Sequence, residues 1–443
     1  MIGRGKTLPL FCLKSANAIL GLGLTFSVAQ VLGANKNVDA LFVAMFVAVI
    51  LPRELSRAIR ISLVPCLLDK NDPDPERFLP SYRIAILLIS AVLTLTVAAG
   101  APLLVRLLSP GFDPHTSMAA GSLIIIMSPC IMLHLMFGSF QGFYHAKRRF
   151  FLTEMAEGIW KVTAIVGLHL WGSRLGVPGY AAGILTASTL QLAVVYVPGL
   201  KLGACFLPKL PRKIEGRILK PFLKGAFVVL VSIMFRKGEE TIDRIILSFM
   251  GHGAISVFTY SERIAFMVPG LLAASMLIPA VPEMASMKNS RGKMFLYVQR
   301  KSVAMFFTGV AVAGAIFIAA EDIVAFIASG GRFSAQSAMQ ASISVKALAL
   351  GIPATFSSWI IRGMFMIRRD LTLIVKCGAL GLAVRLGSDL LLMRFGPPGI
   401  ALAKTISLWT VSLYLWILLG YEKKKSPAES GPPGGKTKGK PLS

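Results

Sequence analysis

Charge is scarce in this chain. Asp, Glu, Lys and Arg make up 15% of its 443 residues, while hydrophobic residues make up 55%, a balance outside the range of ordinary soluble domains. That excludes a water-exposed globule and indicates a polytopic helical membrane protein. Acids are the scarcer sign, 21 against 47 Lys and Arg, for a formal net charge of +26. The basic excess does not indicate nucleic acid, because these residues punctuate apolar runs instead of gathering on one polar face. It reads as a topology signal and as attraction to anionic membrane lipids.

Cysteine is also sparse. Cys12, Cys66, Cys130, Cys205 and Cys377 stand singly in apolar surroundings with no CxxC pair, so they are expected to serve packing alone. His115, His134, His145, His169 and His252 show no HExxH or paired-ligand spacing. GRGKT near the start and GGKT near the end lack the first glycine of a phosphate-binding loop and follow no strand. No segment between apolar runs is long enough for a folded domain. An enzyme is therefore not expected, no cofactor is implied, and any transport must draw on an ion gradient, the membrane potential or a substrate gradient.

What the chain has is apolar length. Runs near 8–32, 39–67, 84–108, 117–144, 154–171, 179–200, 219–249, 254–285, 301–328, 336–366, 371–393 and 399–420 predict about twelve membrane helices. The first run has the basic flank of a signal peptide but continues too long for one, so it is read as the first span. Alternate connections separate by charge. One set holds Arg4, Lys6, Lys70, Arg77, Lys147, Arg148, Arg149, Lys209, Lys213, Lys288, Lys293, Arg368 and Arg369; the other holds little beyond Lys36, Arg174, Arg332 and Arg394. That asymmetry puts both termini in the cytoplasm. The stretch 421–443 is basic, rich in Pro and Gly, and predicted to be disordered.

The sequence also repeats itself. FYHAKRRF at Phe143 is echoed by MFMIRRDL at Met364, RLGVPGYAAG at Arg174 by RFGPPGIALA at Arg394, and SPGFD at Ser109 more weakly by SGGRFS at Ser329, all at an offset of about 220 residues. The expected architecture is all-α, with two six-helix bundles, 1–208 and 209–420, related by a pseudo-two-fold along the membrane normal. Two such bundles leave a central cavity between them.

Ionisable residues inside the apolar runs are the candidate site. FRKGEETIDR, Phe235 to Arg244, lies about 20 Å along a helix beginning near Pro221, at mid-bilayer depth. Arg236, Glu240 and Arg244 follow one another at i, i+4, whereas Glu239 and Asp243 form a like-charged pair that calls for a cation or a proton. Either these charges snorkel toward one surface or they line a polar cavity. Arg53, Arg57 and Arg60 share one stripe of the second span, a row of guanidiniums suited to phosphate or a basic flank at the cytoplasmic end. Glu262 and Arg263 are adjacent in the eighth span; Arg385 and Asp389 are one turn apart in the eleventh, where they form a local pair or reach Asp243 across the bundle.

VLGANKNVDALFVAMFVAVILPRELSRA, LLSPGFD, IDRIILSFMGHGAISVFTYSERIAFMVPGLLAASMLIPAVPEM and GGRFSAQSAMQASISVKALALGIPATFSSWIIRGMFMIRRD resemble the MurJ/MviN lipid II flippases of the multidrug/oligosaccharidyl-lipid/polysaccharide (MOP) exporter superfamily. The resemblance implies a monomeric inner-membrane protein that moves an undecaprenyl-pyrophosphate-linked saccharide outward. Arg53, Arg57 and Arg263 would contact the pyrophosphate and Asp39 would stand at the outward gate. Arg236, Glu239, Glu240, Asp243 and Glu262 would line the cavity and couple transport to sodium or a proton. Asp243, Asp389 and Thr405 fall where some members hold sodium, with Arg385 at the position of an asparagine ligand. Ala18 and Leu24 stand where the family's first span carries arginines, and Pro52 where its second does. The same superfamily contains drug/cation antiporters and O-antigen translocators, and a degenerate, non-transporting homologue is a further alternative.

Overall fold

A chain surrounded by lipid has to satisfy its backbone within each segment, and α-helices do this. The computed structural model describes residues 4–68, 79–201, 233–235, 237–287, 290–330, 332–368 and 371–425, which are almost entirely helical with no strand among them. In order the helices are α1 (Arg4–Leu32), α2 (Lys36–Met45), α3 (Leu51–Leu67), α4 (Leu79–Ala99), α5 (Ala101–Leu108), α6 (Pro114–Met127), α7 (Pro129–Ala146), α8 (Phe150–Gly167) and α9 (Ser173–Leu200). Then come α10 (237–248), α11 (Ala254–Ser286), α12 (Arg291–Ala328), α13 (Ala335–Ala349), α14 (Ile352–Ile367), α15 (Leu371–Leu392) and α16 (Pro397–Lys425). A π-helical turn, Phe46–Ile50, joins α2 to α3, and another, Leu168–Gly172, joins α8 to α9.

The boundary expected between the halves, at 208 and 209, lies outside the described residues, as does Cys205. Helix α16 continues to Lys425, into the stretch predicted to be a disordered tail. Among the described residues five helices are long and apolar enough to cross a bilayer, or seven if each bent pair counts as one span. The segment around Arg53 owes its weaker apolar character to its charges, since α3 carries Arg53, Glu54, Arg57 and Arg60.

The interior is apolar, as in a soluble protein, but the exterior is apolar too and a few charges lie buried. Ile318, Met118 and Leu391 are each more than three-quarters exposed on the outside, whereas Arg385, Asp243 and Asp389 are buried. Such an exterior suits hydrocarbon, and such an interior suits charges that find one another.

The sequence echoes return as matching backbone geometry. Helices α6 and α7 meet at a 41° bend, and α13 and α14 meet at 42°. Asp113 caps α6 by accepting from the Thr116 amide, and Ser334 caps α13 in the same way from Ser337. Gly176 and Gly396, at the start of the two echoed Gly-Pro segments, have φ of +67° and +71° with ψ of −145° and −156°, a conformation open essentially to glycine alone.

Within the first half α3 packs on α7, α8 on α9 and α1 on α8; within the second, α12 packs on α14 and α15 on α16. Contact between the halves runs through α1 and α2 against α11, with α1 also touching α12. The crossing of α8 and α9 depends on small residues, since a Cβ on Gly167 would stand 2.8 Å from the Gly183 Cα. Gly183→Val is therefore expected to force these helices apart and to cost about 1–3 kcal/mol, read as a lower unfolding midpoint of the purified protein.

Candidate functional site

One end of the molecule is closed by contacts between the halves. Asn35 caps α2 by accepting from the Asn37 and Val38 amides, which fixes the first turn of that helix and turns Asp39 toward α11. Helix α11 starts at Gly253, whose φ of +86° and missing side chain leave it without a cap of its own. Asp39 supplies one from the other half: its carboxylate accepts from the Gly253 amide at 2.6 Å, the Ser256 amide at 2.7 Å and the Ser256 hydroxyl. A negative charge at a helix N-terminus is favourable, and here it is buried. The Tyr260 hydroxyl donates to Gly33 O at 3.0 Å, and the Gly111 amide donates to the Ser248 hydroxyl at 3.0 Å. The closure is tight enough that a Cβ at Gly33 would meet Arg332 O at 2.2 Å, and one at Gly111 would meet Ser248 O at 2.5 Å.

Behind this closure, mostly within the second half, lies a cavity of about 590 Å³. Glu239, Glu240 and Asp243 reach it from α10, Glu262 from α11, Arg362 from α14, Arg385 from α15, Lys404 from α16 and Arg57 from the first half. Four carboxylates face four bases in this lining, and the expected cavity residues Glu239, Glu240, Asp243 and Glu262 are its acids. Phe235, Phe266, Trp359 and Phe365 supply apolar wall between them.

The α10 charges are partnered both along the helix and across it. Glu240 takes Lys237 Nζ at 2.5 Å and Arg244 Nη1 at 3.9 Å, so one acid answers two bases on its own helix. The Arg244 guanidinium also lies 3.9 Å from the Phe46 ring centre, at the π-helical turn. Asp243 Oδ1 accepts from Arg385 Nε at 2.7 Å and lies 2.6 Å from Arg385 Nη2 as an ion pair, and Asp389 lies 3.3 Å from the same Nε. Glu262 binds Lys404. Glu239 and Arg362 line the cavity with no hydrogen bond or ion pair of their own among the described residues. Arg236 lies outside the described residues.

The three arginines expected around a pyrophosphate are not gathered at one point. Arg57 reaches the cavity, half exposed, with Glu54 at 3.2 Å. Arg53 instead stacks 3.8 Å over Trp160 and lies 3.7 Å from Glu157 on α8. Arg263 turns to the Thr25 hydroxyl on α1 at 3.4 Å and lies 5.6 Å from the Phe42 ring centre. Arg60 donates to Gln141 at 3.3 Å. Thr405 donates to Ala347 O at 2.7 Å.

Several polar residues were not singled out in the sequence. Arg362 in WIIRGMF and Lys404 in ALAKTIS are lone bases inside apolar runs, the same signal that marked α10. On the first half, Lys161 donates to Asn17 O at 2.5 Å, Asn17 donates to Glu154 O at 2.8 Å, and Lys14 pairs with Glu154 at 3.6 Å. Lys161 thereby places a cation from α8 against the turn of α1 that contains Ala18.

A helical membrane protein fastened across one face by its two halves, with a charged cavity behind the fastening, is built as a membrane transporter. Residues 28–430 match the family described as Lipid II flippase MurJ, and the chain belongs to that family. It is 23% identical over 420 residues to a probable lipid II flippase MurJ of Rhizobium tropici, covering 90% of this chain and 78% of the relative. It is 25% identical over 401 residues to the lipid II flippase MurJ of Thermosipho africanus, covering 90% and 82%. Its fold superposes on a lipid II flippase MurJ in an inward closed conformation with a TM-score of 0.81 at 21% identity, over 94% of this chain and 88% of that one. An outward-facing MATE multidrug transporter of the MOP superfamily gives 0.65 at 14% identity, over 94% of each.

Asp39→Ala would leave the first-turn amides of α11 without their acceptor, a loss of about 1–3 kcal/mol at the closure. Spin labels at Pro110 and His252 are expected to show a longer, broader distance distribution in that variant than in an otherwise identical protein.

Proposed function

We propose that this protein is a lipid flippase that carries a polyprenyl-pyrophosphate-linked saccharide of the lipid II type across the inner membrane by alternating access. The observation that carries the reading is the position of the charged cavity directly behind a closure made between the two halves, in a chain of this family. A pyrophosphate headgroup needs fixed cations and planar donors to leave water. Arg57 and Arg362 offer these in the cavity, while Arg53 on α3 and Arg263 on α11 lie outside its lining and would meet the headgroup as it moves between the halves. The polyprenyl tail stays in lipid beside the greasy exterior. Headgroup binding draws the inner ends of the halves together, and breaking the Asp39 cap frees the outer ends.

In this reading the protein is a monomer of twelve spans in two six-helix halves, 1–208 and 209–420, related by an axis along the membrane normal. The matching 41° and 42° bends and the paired caps of α6 and α13 support that duplication. Both termini face the cytoplasm, where the basic loops meet anionic lipid. A cation gradient couples through Glu239, the cavity carboxylate left without an ion pair among the described residues. The four cavity carboxylates favour one second reading, export of a cationic solute, which would be displaced by free cations and not by a lipid-linked pyrophosphate.

The test is flipping of a labelled lipid-linked pyrophosphate in reconstituted vesicles, followed by headgroup accessibility. Arg263→Ala and Arg362→Ala are each expected to slow flipping tenfold or more with folding intact. Wild-type rates in both would overturn the assignment of the headgroup path.

A further inference from the structure

The family resemblance implies a sodium ion among Asp243, Asp389 and Thr405, and the side chains present do not fit one. Arg385 occupies the space between the two carboxylates, with Nη2 and Nε 2.6 and 2.7 Å from Asp243 Oδ1 and Nε 3.3 Å from Asp389 Oδ2. All three side chains are at most 3% exposed. The third implied ligand, Thr405, donates its hydroxyl proton to Ala347 O at 2.7 Å. An alkali cation binds by gathering oxygen lone pairs. Here the Asp243 oxygen that would lead such a shell already accepts from Arg385 Nε and is in ion-pair contact with Nη2, and a second positive charge would sit against a guanidinium that has donors and no lone pair to offer.

We infer that Arg385 is the resident counter-ion of the Asp243–Asp389 pair, tethered to α15, and that this site takes no alkali cation. A free ion would let α10 and α15 part whenever it left; a tethered one holds them together throughout. The charges packed around the cluster fit this role. Glu239 lies on the same helix as Asp243, and Lys404 of α16 is already committed to Glu262 of α11, so neither Lys404 nor Glu262 provides a vacant site for an ion. Cation coupling then falls on the cavity acids outside this cluster, with Glu239 foremost.

The experiment uses the purified full-length protein and equilibrium readouts, so its outcome is independent of whether the chain flips lipid. Thermal unfolding is compared in sodium, potassium and choline chloride at equal ionic strength, alongside equilibrium dialysis against radioactive sodium. Wild type and Asp389→Asn are expected to respond alike to the three salts and to retain the same amount of sodium. Arg385→Asn, which replaces the guanidinium with an oxygen donor, is expected to gain a sodium-specific rise in unfolding temperature of several degrees and to bind sodium; Arg385→Lys is expected to gain neither. Sodium retained by wild type and lost in Asp389→Asn would overturn the inference, and so would a folded Arg385→Asn indifferent to sodium. If Arg385→Asn does not fold, the comparison of wild type with Asp389→Asn decides alone.

Discussion

Asp39 belongs to one half of the molecule and caps a helix of the other. Its carboxylate meets the Gly253 and Ser256 amides where α11 begins without a side-chain cap. Hydrogen bonds to a charged acceptor contribute about 1.5–3 kcal/mol each, so a single side chain accounts for much of the grip across that face. The arrangement is also reversible, because the amides of a helix's first turn find water as readily as a carboxylate once the halves separate. A dry hydrophobic interface of the same extent would have no comparable alternative in the open state. The cavity behind the closure depends on this fastening, which adds to the packing of α1 and α2 on α11, of α1 on α12, to the Gly111–Ser248 contact and to the stacking of Arg244 on Phe46.

The interior charges follow a second constraint. A lone ion in a low-dielectric interior is expensive, and pairs are tolerated only with good geometry. Lys237 and Arg244 answer Glu240, Arg385 answers Asp243 and Asp389, and Lys404 answers Glu262. Glu239 and Arg362 stand apart from these pairs on the cavity wall, which is where a polar headgroup or a moving cation would supply what the protein does not. Opposite them, Arg53 is held by the face of Trp160 and the carboxylate of Glu157.

Much of the helical layout was legible in the sequence. Among the described residues the apolar runs fall on helices, the run at 219–249 lying largely outside them, and the two RxGxPG segments fold with nearly the same glycine dihedrals. Asp39 and the α10 cluster were visible as charges where charges are costly. The pairing of α10 with α15 and of α11 with α16 was only partly visible: Asp389 was matched to Asp243 as one of two possibilities, while Lys404 was overlooked. Helical periodicity states which residues share a stripe and is silent on which helix that stripe will face. For the same reason the arginine row of α3 read as one phosphate receptor, yet a single turn separates Arg53, against α8, from Arg57, in the cavity. Lys161 escaped notice because its role depends on a neighbour, α1, more than a hundred residues away.

Around the Asp39 cap the closure brings main chain against main chain, with Gly33 against Arg332, Gly111 against Ser248 and Gly330 against Gln30. Where two faces meet as bare backbone, few long side chains have to choose among rotamers before contact is complete, so little freedom is lost at that moment beyond the approach of the rigid parts. Such a face re-forms the same way each time it is parted, quickly and without a conformational search.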